Sequence, residues 1–136
     1  MEIINISVAI FAMFFTIIIL DYIWLGIITK NFIISQFGSL VDVENGSIKI
    51  KLGVGIFTWF IIAVGTFIFA ANPSETIGKA ILLGAVFGFI LYSVYDLTNL
   101  TFISGYPIKF IFVDIAWGTF LCATISAIGF FIRGLI

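Results

Sequence analysis

The sequence predicts an all-α fold, an integral membrane four-helix bundle, from its composition and from the spacing of its apolar stretches. Hydrophobic residues make up 62 % of the 136 residues and charged residues only 10 %, whereas soluble domains carry about 25 % charged residues. The mean hydropathy is +1.32. Four separate stretches are long enough to cross the hydrocarbon, which takes about 20 apolar residues in a helix. We therefore expect one transmembrane domain over residues 1–136.

The four predicted spans cover about residues 3–29, 52–71, 78–98 and 110–132. Each is continuously apolar, which indicates a helix, because membrane strands alternate between apolar and polar side chains. The first span follows Met1-Glu2 with no basic residue before it, and its apolar run is too long for a signal peptide. We therefore interpret it as a transmembrane helix.

The three connections between these spans differ in length. Residues 72–77 and 101–109 are short and each contains a proline, and Ser74 is the expected cap of the third span. Residues 30–51 form the longest connection, and its first part is apolar. That part is either an interfacial half-helix or the frayed end of the first span.

The distribution of basic residues predicts the orientation in the membrane. Four crossings place both termini and the second connection on one side, with Lys79 and Arg133. The first and third connections, on the other side, hold Lys30, Lys49, Lys51 and Lys109. The positive-inside rule therefore favours cytoplasmic first and third connections.

Composition also excludes several classes of function. A net charge of −1 with six Lys and Arg residues offers no basic surface for nucleic acid. Cys122 is the single cysteine and histidine is absent, which excludes an internal disulfide and zinc sites of the Cys/His type. No nucleotide-binding motif is present. We predict no cofactor, with a divalent cation held by oxygen ligands as the one exception left open.

Three aspartates fall at one depth near the lysine-rich side: Asp21 late in the first span, Asp96 late in the third and Asp114 early in the fourth. Each lies roughly 5–12 Å below its helix end. An aspartate inside a membrane is costly and marks a functional site by default. We predict that the three carboxyl groups line one acidic pocket, and that at least one of them is protonated at neutral pH or a cation is held between them. Neighbours at helical spacing complete the predicted pocket: Trp24, Tyr92, Tyr95, Asn99 and Trp117.

Small residues recur four apart on the last two spans. The third span carries Ala80, Gly84 and Gly88, and the fourth carries Gly118, Cys122, Ser126 and Gly129. Such stripes allow two membrane helices to approach closely. We infer that the third and fourth spans pack along them, which would bring Asp96 and Asp114 together.

Four motifs carry a family resemblance. In order they are Asp21-Tyr22-Ile23-Trp24, the stretch Tyr95-Asp96-Leu97-Thr98-Asn99, Tyr106-Pro107, and Asp114-Ile115-Ala116-Trp117. In these motifs the whole chain resembles the bacterial predicted membrane proteins grouped as domain of unknown function 2177. The resemblance implies four spans and a bacterial inner membrane, and it brings no established activity. Tyr106 and Phe32 depart from the family pattern, in which a tryptophan and a tyrosine are expected.

The sequence leaves three functions open. The leading hypothesis is a small binding or transport protein whose acidic pocket takes a lipid headgroup region, a proton or a small cation. The alternatives are a lipid-modifying enzyme that uses the aspartates for acid–base or metal chemistry, and a structural subunit of a membrane complex. Membrane lipids are the expected partners, and a second copy of the chain or another membrane protein is left open.

Overall fold

The computed structural model describes residues 2–135, and four long helices account for most of them. The elements in chain order are α1 (Glu2–Ile23), a π-helical turn (Trp24–Ile28), α2 (Lys30–Phe37), a 3-10 turn (Gly38–Leu40), β1 (Val43–Glu44), β2 (Ser47–Ile48), α3 (Leu52–Thr66), a second π-helical turn (Phe67–Ala71), α4 (Ile77–Phe102) and α5 (Ile108–Leu135). Four stretches are long and apolar enough to cross a membrane: Ile3–Ile28, Leu52–Ala71, Ile77–Phe102 and Ile108–Leu135. The predicted all-α bundle of four transmembrane helices is confirmed.

The outer surface of the bundle is apolar, as a lipid environment requires. On α1, Ala9, Met13 and Ile17 are fully buried, whereas Phe11 and Phe15 are more than half exposed. Several hydroxyl groups on the helices bond within their own helix, because lipid offers no partner. Three examples are the bonds of Thr16 to the Ala12 carbonyl, Thr119 to that of Ile115 and Thr124 to that of Phe120, each of 2.7–2.9 Å.

The closest helix contact joins α4 and α5. A Cβ atom placed on Gly84 would lie 2.6 Å from the Ser126 Cβ, and one on Gly88 would lie 2.8 Å from the Cys122 Cβ. The Ser126 hydroxyl also donates a 2.7 Å hydrogen bond to the Ala80 carbonyl. The two backbones can approach this closely only because glycines stand at these positions.

Gly129 and Gly118 make different contacts from the rest of the stripe. A Cβ atom on Gly129 would overlap Met13 of α1 and lie 3.2 Å from the Ala71 Cβ, so this glycine serves the contact of α5 with α1 and the second π-helical turn. A Cβ on Gly118 would overlap the ring of Tyr92. Gly118 therefore makes room for an aromatic side chain of α4.

The long first connection forms defined structure. Of the two interpretations, the structure supports the separate half-helix, because α2 begins after Thr29 and packs Phe37 against Tyr106 and Phe110, with ring centroids 5.7 and 4.8 Å apart. β1 and β2 then pair antiparallel. Asn45 and Gly46, between them, both have positive φ, as a type I′ hairpin turn requires. The first and third connections therefore meet at one end of the bundle.

The opposite end is closed by Arg133 and by a helix cap. The Arg133 guanidinium donates to the backbone oxygens of Asn72 and Ser74 in the second connection. The expected cap is corrected: the Thr76 hydroxyl accepts the hydrogen bond of the Lys79 backbone N–H at 3.2 Å. Ser74 is buried and donates to the Ala70 carbonyl, so it ends the preceding helix and does not begin the next one.

Candidate functional site

Asp21 lies near the end of α1 and connects three helices. Its side chain is buried, with 5 % exposure. Oδ2 accepts a 2.7 Å hydrogen bond from Trp59 Nε1 of α3, and Oδ1 accepts a 2.8 Å bond from Trp117 Nε1 of α5. Each carboxylate oxygen therefore has an N–H donor, which is the arrangement that stabilises a buried carboxyl group.

Trp24 covers this junction from the first π-helical turn. Its ring stacks on that of Trp117, with centroids 4.3 Å apart and planes inclined by 3°. The wider π turn ends where Thr29 donates both its backbone N–H and its hydroxyl to the Trp24 carbonyl, each at 2.7 Å. Single π turns are frequent at functional sites, and this one places the indole of Trp24 against that of Trp117 in α5.

Asp96 is fully buried on α4. Its Oδ1 accepts a 2.8 Å hydrogen bond from the Tyr106 hydroxyl, and Asn99 Nδ2 lies 3.5 Å from the same hydroxyl. Burial of the phenol, together with the bond that it donates to Asp96, raises the pKa of Tyr106 above its ordinary value of 10.0. The second oxygen, Asp96 Oδ2, is buried and has no donor within residues 2–135.

Asp114 of α5 lies beside Asp96. The two carboxyl groups are close neighbours, and a hydrogen bond between them would need a proton on one of the two. The ion pair found in the described part of the chain joins Lys49 and Glu44 on the hairpin at 3.0 Å. Across residues 2–135, no lysine or arginine is ion-paired with any of the three aspartates.

Asp114 also lines a cavity of about 490 Å³ beside α3, the second π-helical turn and α4. The wall of this cavity is apolar, with Ile61, Ile62, Gly65 and Phe69 on one side and Phe87 and Leu91 on the other. Its polar end is formed by Thr58, Tyr92, Tyr95 and Asp114. We call it the α3–α4 cavity.

Asp21 faces a different space. A second cavity, of about 550 Å³, lies between α1, α2, the hairpin and the start of α3, and Asp21, Lys30 and Trp59 are among the residues that line it. The residues predicted for one pocket are thus separated: Tyr92, Tyr95 and Asp114 line the α3–α4 cavity, Asp21 lines the second cavity, and Trp24, Asp96, Asn99 and Trp117 line neither. Asp96 and Asp114 are together, while Asp21, Trp24 and Trp117 form the helix junction described above.

The two predicted tyrosines differ in position. Tyr92 is half-buried and its ring packs over Gly118, whereas Tyr95 is 61 % exposed. Both line the α3–α4 cavity. In residues 2–135 neither tyrosine bonds to a carboxyl group; Tyr106 makes that bond instead.

Within residues 2–135, no group of three or more His, Cys, Asp or Glu side chains is arranged to hold a metal ion. Both oxygens of Asp21 already accept hydrogen bonds from indole N–H groups. Asp96 and Asp114 are the two aspartates that remain next to each other.

Two important residues were missed by the sequence reasoning. Trp59 is the second donor to Asp21, and its signal is a tryptophan about 10 Å inside the second span by helical rise, close to the depth of Asp21. Tyr106 is noted in the sequence only as a departure from the family pattern, although its hydroxyl donates to Asp96. Spacing within one helix reveals neither contact.

Fold and site together define a four-helix integral membrane protein with carboxyl groups buried near one end of its bundle. The model of the predicted membrane protein family DUF2177 matches residues 6–131, and the chain therefore belongs to this family. The resemblance of its motifs is confirmed. No curated protein and no solved structure matches the chain significantly.

Proposed function

We propose that this protein binds one membrane lipid or similar amphiphile in the α3–α4 cavity, with the polar group of the ligand at Asp114. A bacterial inner membrane is the proposed location, in line with its helical spans. Lipid is favoured over a soluble substrate because the apolar wall of the cavity is extensive and its polar end is small.

The single observation that carries the proposal is the order of polarity along the cavity. Thr58 and Asp114 each lie six residues inside their helices, about 9 Å from the helix ends at 1.5 Å per residue. Phe69, at the other end of the cavity, lies about 16 Å beyond Thr58 along the same helix. A lipid within one leaflet has the same order, with its polar group near the face and its chain deeper.

The rim of the cavity is open to the side. Ile61, Phe69 and Tyr95 line it and are 53 %, 65 % and 61 % exposed. Gly65 keeps the space between α3 and α4 free, since a Cβ at this position would already lie 3.0 Å from the Phe87 ring. A ligand can therefore enter from the bilayer without passing through water.

The test compares two isoleucines of the same span. Ile61 lines the cavity and Ile68 does not, although they are 53 % and 52 % exposed. The protein is purified in mild detergent, and the lipid bound per chain is measured by native mass spectrometry. We expect wild type and Ile68→Trp to retain about one tightly bound lipid and Ile61→Trp to lose most of it. Equal lipid content in all three proteins would overturn the proposal.

A second candidate function is an enzyme that acts on lipid. The observation that favours it is the contact of Asp96 with Asp114, because two adjacent carboxyl groups that share a proton can serve as acid and base. Lipid extracts of cells with and without the gene test this function. An enzyme predicts a missing product and an accumulated precursor, whereas a binding protein leaves the set of lipid species unchanged.

A further inference from the structure

We propose that the ligand of the α3–α4 cavity carries a single positive charge, on an amine that binds Asp114 as its ammonium form. This inference rests on the proposed function and adds the chemical class of the polar group. Three features support it: a negative charge without a basic partner, a buried Asp96 oxygen without a donor, and the shape of the cavity.

The Asp96–Asp114 pair holds one net negative charge. Asp96 is 0 % exposed, and its Oδ2 has no donor within residues 2–135. This oxygen is satisfied when it carries a proton itself and donates it to the neighbouring carboxyl group, that of Asp114. One proton shared between two carboxyl groups satisfies the contact and leaves one charge. Burial disfavours a charge on Asp96, which is 0 % exposed, so the proton stays there and the charge falls at Asp114, which lines the cavity.

The groups around the pair do not neutralise this charge. Tyr106, from the third connection, donates to Asp96 as a neutral phenol, and Asn99 of α4 is uncharged. Tyr92 of α4 faces the pair, and Asp21 of α1 adds a further acidic group nearby. None of the lysines or arginines in the described chain is paired with these carboxyl groups. A buried charge normally has a partner, so a cationic ligand supplies what the bundle lacks.

An organic ammonium fits the cavity better than a metal ion. It offers three N–H donors and one charge, which matches the charge of the pair. The rings of Tyr92 and Tyr95 line the same end of the cavity, and aromatic faces attract ammonium groups when water is excluded. The apolar wall that continues from this end requires a hydrocarbon chain on the same molecule.

The experiment uses three amphiphiles with the same twelve-carbon chain: dodecylamine, dodecanol and dodecanoate. Their binding to the purified protein is titrated in a nonionic detergent at neutral pH and in the presence of EDTA, and Ile61→Trp reports the background from partition into micelles. We expect dodecylamine to bind at least tenfold more tightly than dodecanol, with dodecanoate the weakest. Asp114→Asn should bring the amine and the alcohol to similar affinities.

The outcomes separate this inference from the function on which it rests. If dodecanol or dodecanoate binds to wild type as tightly as the amine and Ile61→Trp abolishes binding, the cavity binds amphiphiles and the amine is the wrong class. If each of the three compounds binds to Ile61→Trp as tightly as it binds to wild type, the proposed function itself fails. The comparison of the three compounds does not use Asp114→Asn, so misfolding of that variant would not affect it.

Discussion

Asp21 and the Asp96–Asp114 pair are chemically alike and lie near the same end of the bundle, but their surroundings differ. Both oxygens of Asp21 accept indole N–H bonds of 2.7 and 2.8 Å, from two other helices. The pair receives one protein donor, the hydroxyl of Tyr106, and Asp114 opens on a cavity. We therefore infer that the role of a carboxyl group in this bundle depends on the number of hydrogen-bond donors around it and not on its residue type or depth alone.

This difference assigns opposite roles to the two regions. A carboxyl group satisfied by two helices other than its own stabilises their arrangement, because its removal leaves buried donors without an acceptor. We expect a pair with fewer donors to contribute less to stability and to be available to a ligand. Variants of Asp21 should therefore affect folding, and variants of Asp114 should affect binding.

The largest effect is expected for Asp21→Ala. This change leaves the indole N–H groups of Trp59 and Trp117 buried without an acceptor, at a cost of about 1–3 kcal/mol for each group. We expect a loss of roughly 2–6 kcal/mol in the free energy of unfolding, measured by thermal or denaturant unfolding in detergent micelles. Asp114→Ala is the matched control and should cost less, because the loss of its contact with Asp96 is offset by the removal of an unpaired charge. A similar loss in both variants would remove the distinction between the two regions.

The sequence predicted the fold well because the fold depends on local patterns. Length and apolarity define the spans, and the positions of Gly84 and Gly88 indicate where α4 meets α5. The contacts of Asp21 are different, since its donors lie 38 and 96 residues away. Helical spacing paired Trp117 with Asp114, but the indole of Trp117 bonds to Asp21 across helices.

The cavities were also beyond the reach of sequence reasoning. A cavity is the space that remains after tertiary packing, and no residue pattern encodes its walls. Gly65 illustrates this point: it looks like any other glycine of an apolar span, yet in the structure it keeps a gap beside the Phe87 ring. Sequence reasoning did identify Asp114 and Tyr92, because polar residues in an apolar span are conspicuous wherever the packing places them.

An intermediate effect is expected for Gly88→Ala, which should separate α4 from α5 without touching Asp21. The added methyl group would lie 2.8 Å from the Cys122 Cβ and closer still to the Gly118 carbonyl. Overpacking of this kind costs typically 1–3 kcal/mol, and we expect about 2 kcal/mol of lost stability together with weaker amphiphile binding. The unfolding free energy and a dodecylamine titration provide the two measurements.

Gly78→Ala is the control for that variant, because no atom lies within 4 Å of a Cβ at Gly78. Alanine favours helix over glycine by up to about 1 kcal/mol, so this control should be neutral or slightly stabilising. Should Gly88→Ala bind dodecylamine as wild type does, close approach of α4 and α5 would not be needed for the Asp96–Asp114 pair to act.

The smallest effect is expected for Tyr106→Phe, which removes the donor to Asp96 Oδ1 and should cost about 1 kcal/mol near neutral pH. Its clearest signature is in the dependence on pH. Burial and the bond to Asp96 raise the pKa of Tyr106 above 10.0, so the folded protein holds this proton more tightly than the unfolded chain does. The resulting stability is fully present below pH 10 and is lost as the pH rises above it.

Wild type should therefore lose stability more steeply than Tyr106→Phe does as the pH rises above about 10, as thermal unfolding at a series of pH values will show. Tyr22→Phe is the control, because Tyr22 is 70 % exposed and its replacement should leave the wild-type slope unchanged. Parallel slopes for wild type and Tyr106→Phe would mean that the phenol does not hold its proton for Asp96. The Asp96–Asp114 pair would then lack its one protein donor, and its contrast with Asp21 would be sharper still.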